Sequence, residues 1–125
     1  MAEKEAELLK ILGSAFNAAL KGADLEAEAL GMAESLGEDD MSVKLKRLEA
    51  KENFLYAQMF KDEAESEFKD ILGKIGDFDL LRNQVNNLCI DVFDTPEKNR
   101  KSVVDSKEYA RKKGAELIEK LQKEL

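Results

Sequence analysis

Three carboxylates have the spacing to do chemistry together. Stepping about 100° per residue around a helix puts Glu52, Glu63 and Asp70 at nearly the same angle. An all-carboxylate set of this kind suits magnesium or manganese, which prefer oxygen ligands. It would then serve an enzyme acting on a phosphate-containing substrate. Carboxylate-metal bundles usually add a histidine three residues after a glutamate, and this chain contains no histidine. The same absence removes the commonest general base and every Ser/His/Asp or Cys/His nucleophile arrangement. The segment LGKIGD, residues 72–77, has neither the spacing of a phosphate-binding loop nor a strand before it. Cys89 stands beside Leu88 and Val92 and reads as a small core residue. Asn83, Asn87 and Asp91 form a polar row at i+4 spacing that reads as a solvated face. No residue is assigned a catalytic role, no cofactor is expected, and the carboxylate-metal enzyme is kept as the alternative.

The elements that would position these residues follow from composition. The chain has 125 residues, one proline and one cysteine. That length predicts a single domain over 1–125 with a core of its own. One cysteine allows no intramolecular disulfide. No signal-peptide pattern or membrane-length apolar run stands out, which predicts a soluble cytoplasmic protein. The net charge of −7 argues against non-specific nucleic-acid binding, which needs cations to displace counterions from phosphates. Charge is uneven: residues 1–40 carry 3 basic and 10 acidic side chains, whereas residues 96–125 carry 9 and 6. Two such ends attract each other, within one chain or between two.

Alanine, leucine, glutamate and lysine dominate, and the pattern is helical throughout. Leu9, Leu12, Phe16 and Ala19 form one face of a first helix that Gly22 is expected to end. Asp24 caps a second helix carrying Leu25, Ala29, Met32, Ala33 and Leu36, and Gly37 stops it. Residues 1–37 are thus expected to form a helical hairpin. A long central helix follows over 39–72, capped by Asp39 or Asp40. Residues 73–79 read as a loop, with Asp77 or Asp79 capping the next helix, whose stripe is Leu81, Val85, Leu88 and Val92. Thr95 and Pro96 open a last helix with the stripe Val103, Ala110, Gly114, Leu117, Leu121 and Leu125. Residues 78–125 form a C-terminal helix pair. At Gly114 the sequence allows either close packing or a break.

The central helix carries two apolar stripes. Met41, Leu45, Leu48, Leu55 and Met59 share one side. Ala57, Phe60, Ala64, Phe68, Ile71 and Ile75 lie about 140° further round. The rotation predicts that the first stripe packs on the N-terminal hairpin and the second on the C-terminal helices. A kink near Phe60 would produce the same rotation. Phe54 belongs to neither stripe and faces Lys51, Gln58 and Lys61, so it reads as a surface aromatic of the kind enriched at interfaces.

The run LGSAF at Leu12–Phe16, with Gly22 and Ala27, resembles a tetratricopeptide hairpin, as does Ala64 followed by Phe68. The resemblance implies a helical protein-binding scaffold. The central helix is too long for a 34-residue repeat, and residues 73–125 hold no second copy.

The expectation is therefore an all-α antiparallel bundle of about five helices built on one long central helix. Its function would be a small acidic non-enzymatic interaction module: an adaptor, a chaperone-like protein or an assembly subunit. The partner would be a protein, a second copy of the chain included, and neither nucleic acid nor membrane. The expected contact residues are Phe54, Lys51, Gln58 and Lys61 with Leu117, Ile118, Leu121 and Leu125.

Overall fold

The computed structural model describes residues 2–89 and 97–124, with side chains for 3–89 and 104–124. The expectations at Asp91, Val92, Thr95, Pro96, Leu125 and the Val103 side chain lie outside the described residues. Five helices follow one another: α1 (Ala2–Leu36), α2 (Met41–Glu67), α3 (Lys69–Lys74), α4 (Gly76–Cys89) and α5 (Glu97–Glu124). Among the described residues there is no strand, and the fold is an all-α bundle. None of these helices is long and apolar enough to cross a membrane.

The expected N-terminal hairpin is instead one helix. Gly22 does not end α1; the chain continues as helix to Leu36. The reason lies in a buried row at alternating spacings of four and three: Leu8, Leu12, Ala15, Ala19, Gly22, Glu26 and Ala29. Gly22 is a member of that row, and the ring of Phe54 lies on its bare Cα. A β-carbon there would come within 2.8 Å of Phe54 Cε1 and 2.9 Å of Cζ. Glycine in a helix interior costs about 1 kcal/mol, and burial of an aromatic ring offsets that several-fold. The true stop is Gly37, whose φ of 91° is left-handed and whose N–H donates to Ala33 O at 2.9 Å. Asp40 then caps α2, its carboxylate accepting from Ser42 N at 2.9 Å. Four residues join α1 to α2, so the hairpin of this fold is α1–α2.

The expected helix over 39–72 is also revised. It is interrupted at Phe68 (φ −123°, ψ 28°), which separates α2 from α3. Neither glycine nor proline marks the spot. The break lets the Phe68 ring drop into the core, where it is 6% exposed. Only Ile75 separates α3 from α4, and Asp77 and Asp79 lie inside the first turn of α4. The segment expected as a loop is therefore mostly helical.

The hub of the bundle is α1, which packs against α2, α4 and α5, in place of the central helix expected at 39–72. Phe78, Leu81, Val85, Leu88 and Cys89 of α4 join Ala110, Leu117 and Leu121 of α5 in the same core. Gly114 does not break α5. The Phe16 ring sits directly on it, where any β-carbon would overlap ring atoms. The acidic and basic ends of the chain meet at one point. Asp24 of α1 accepts from Lys107 Nζ and Arg111 Nη2 of α5, each at 2.8 Å.

Candidate functional site

The helix α2 has two apolar rows on opposite sides. The first is Val43, Ala50, Phe54, Ala57 and Ala64, all buried. The second is Met41, Leu45, Leu48, Leu55 and Met59, each between 49% and 67% exposed. At about 100° per residue the two rows lie roughly 170° apart. This inverts the expected assignment. The stripe expected to pack on the N-terminal helices faces solvent, and Phe54, expected at the surface, is 0% exposed. The physical reason is size. Ala50, Ala57 and Ala64 of α2 and Ala15, Ala19, Gly22 and Ala23 of α1 are all buried, and the two helices pack against each other. Small side chains let two helices approach closely, and the close approach leaves a large ring room only over a glycine. The stripe through Ala57, Ala64 and Phe68 is buried as expected, with Phe60, Ile71 and Ile75 packed partly buried against the core.

Ion pairs hold α2 in this rotation. Arg47 Nε lies 3.5 Å from Glu26, whose side chain is 6% exposed, and Arg47 also pairs with Glu38. Lys46 lies 3.3 Å from Glu28. Burying the Glu26 carboxylate without a cation would be strongly unfavourable, so the Arg47 pair marks one register of the hairpin. Further along, Lys61 donates to Asn86 Oδ1 of α4 at 2.8 Å. These contacts direct the Met41–Met59 row outward.

The row reads as a heptad seam, with spacings of four and three through Met41, Leu45, Leu48, Glu52, Leu55 and Met59. Glu52 is its one polar member, and the Tyr56 hydroxyl donates to Glu52 Oε1 at 3.3 Å. Lys44 and Lys51 border one edge of the row, Glu49 and Tyr56 the other. Monomeric proteins rarely leave a contiguous apolar surface of this extent uncovered.

The expected contact set is not brought together. Phe54, Leu117 and Leu121 are core residues, and Ile118 packs against that core. Lys61 is engaged with α4. Lys51 is exposed and Gln58 partly so, and both border the apolar row of α2. Sequence reasoning assigned the exposed row to the core because it weighted leucine and methionine over alanine. The signal that would have found it is the four-three spacing of Ala15, Ala19 and Gly22 on α1 together with the seven-residue spacing of Ala50, Ala57 and Ala64 on α2.

The carboxylates do not form a metal centre. Glu52, Glu63 and Asp70 are all exposed, and the break at Phe68 puts Asp70 on a different helix from the other two. Among the described residues, no three histidine, cysteine, aspartate or glutamate side chains group as metal ligands. An open depression at the α2–α3–α4 junction is lined by Glu65, Lys69, Leu72, Gly73, Asp79 and Arg82. Arg82 pairs there with Asp79 and, at 3.8 Å, with Glu65, so most of its charge is internally matched. Burial pushes the Cys89 thiol up to about 12, which leaves it protonated and a poor nucleophile.

The fold and the exposed face define an all-α bundle with one two-sided helix. No protein-family model, curated protein or solved structure matches the chain.

Proposed function

We propose that this chain is a small non-enzymatic protein-interaction module, of the adaptor or assembly-subunit kind, which docks a protein partner on the outer face of α2. The observation that carries the reading is the row Met41, Leu45, Leu48, Leu55 and Met59, left half to two-thirds exposed on a helix whose opposite side is already core. An amphipathic helix needs one apolar face to fold, and a second face has no role inside the bundle. Leucine and methionine at heptad spacing suit a helix or helical groove laid along it. The scattered exposure of Glu52, Glu63 and Asp70 gives the carboxylate-metal alternative no support.

The test is capture from an extract of the native source with the immobilised chain, set beside the variant Leu45→Gln/Leu48→Gln/Leu55→Gln. These side chains are exposed, so the variant should melt close to the wild type. The expected result is a protein, the chain itself included, retained by the wild type and lost by the variant. Equal retention by both would remove the outer face of α2 as the docking site.

A further inference from the structure

We infer that the occupant of this face is an amphipathic helix of a second, different protein, whose apolar seam carries a lysine or arginine opposite Glu52. The inference rests on the functional reading above and adds the partner's chemistry.

The first argument is which charges of α2 the chain itself matches. Those beside its packed side are engaged: Lys46 with Glu28, Arg47 with Glu26, and Glu65 with Arg82 of α4. Those around the outer row are not. Among the described residues, Lys44, Glu49 and Glu52 make no ion pair. Glu52 stands within the row, between Leu48 and Leu55, and its carboxylate accepts from the Tyr56 hydroxyl at 3.3 Å. A helix laid along the row takes water away from that carboxylate. A carboxylate that loses water without gaining a cation weakens the binding. A lysine or arginine in the partner's seam removes that cost, because its aliphatic stem packs among leucines while its charged end reaches the carboxylate.

The second argument is against the chain itself as the occupant. With two copies parallel and in register, Glu52 meets Glu52 of the other copy in the middle of the seam. With two copies antiparallel about the midpoint of the row, each edge meets the like edge. Lys51 then faces Lys51 of the other copy, and Glu49 faces Glu49. Either arrangement sets like charges together, which selects against it.

The third argument is reach and spacing. Met41 to Met59 spans about 27 Å along the axis, roughly five turns of a partner helix. Leucine and methionine at heptad spacing accept a seam of the same spacing. Lys44 and Lys51 on one edge favour an acidic edge on the partner, and Glu49 on the other favours a basic one. A single helix covers less than the roughly 800 Å² per partner of a standard interface, so the pairing exchanges, with a Kd on the order of micromolar.

The probes are two fluorescently labelled helical peptides of three heptads, with leucine along the seam except at its centre and with uncharged edges. One carries lysine at the central seam position and the other glutamate. Binding to the full chain is followed by fluorescence anisotropy. The expected result is a Kd on the order of micromolar for the lysine peptide and one about tenfold or more weaker for the glutamate peptide. Glu52→Lys replaces an exposed side chain, so the fold is retained, and it should reverse the order of the two peptides. Leu45→Gln/Leu48→Gln/Leu55→Gln should lose both. A wild type that binds the two peptides equally, or binds neither, overturns the inference, as does an order that Glu52→Lys leaves unchanged. Capture from the native extract judges the functional reading separately. A protein retained through Leu45, Leu48 and Leu55 upholds that reading even where the lysine peptide fails, and if nothing is retained it falls as well. A wild type that sediments as a dimer held through Leu48 and Leu55 overturns the inference and keeps the docking face.

Discussion

Gly22→Ala and Gly31→Ala are the same substitution in the same helix, and the structure gives them different outcomes. In a helix interior alanine is favoured over glycine by about 1 kcal/mol. At Gly31 an added β-carbon has nothing within 4 Å, so the full gain of about 1 kcal/mol is expected. At Gly22 the β-carbon would stand 2.8, 2.9 and 3.0 Å from Cε1, Cζ and Cδ1 of Phe54. That ring is fully buried, so it has no open side to move into. Overpacking of this kind costs about 1–3 kcal/mol, which cancels or outweighs the propensity gain. The two variants should therefore differ by roughly 1–3 kcal/mol. The assay is urea unfolding followed by far-ultraviolet circular dichroism, at one protein concentration for wild type and both variants. Neither position lies on the outer row of α2, so docking there does not separate them. Gly31→Ala should raise the midpoint, and Gly22→Ala should leave it unchanged or lower it. If Gly22→Ala stabilises as much as Gly31→Ala, Phe54 does not sit on Gly22, and the rotation that turns Leu48 outward is wrong.

The Cys89 thiol, 3% exposed and raised by burial, should react with a disulfide reagent at pH 8 only as fast as the fold opens, and at once in urea; rapid stoichiometric labelling of the native chain would refute its place in the core. Burial alone would raise the Asp24 carboxyl, but hydrogen bonds from Lys107 and Arg111 more than offset it and hold it below the usual carboxylate range. Its stabilisation is therefore present above about pH 4 and lost as pH falls through the lowered value. The Asp24 hydrogen bond raises Lys107, so that side of the pair is lost only as pH climbs past about 10.4 through the raised value. Asp24→Asn should be less stable than wild type at pH 7 by at most about 1 kcal/mol, since both groups are partly exposed. The gap should close on acidification, and a gap that persists at pH 2 would mean that the ion pair is not its source.

The helical class was legible in the residues, because helix formers with one proline leave few other folds open. The stop at Gly37 was legible too, and the cap was narrowed to Asp39 or Asp40, since both are local chemistry: a left-handed glycine and a carboxylate beside free amide hydrogens. The stripes of α4 and α5 were read correctly over Leu81, Val85, Leu88, Ala110, Leu117 and Leu121, where each helix has one apolar side.

What failed depended on a second helix. Whether a glycine ends a helix or seats a ring turns on what lies across from it. Gly22 was read as a stop and Gly114 was open to either reading, and Phe54 and Phe16 decide them. The break at Phe68 has no local cause and answers the core's need for that ring. Above all, a helix with two apolar rows does not announce which one is inside. By itself the sequence determined that α2 has two apolar sides and that Glu52 interrupts one of them. Only tertiary structure decided that the alanine row faces inward. Close approach to α1 rewards small side chains, and the larger leucines and methionines are left outside.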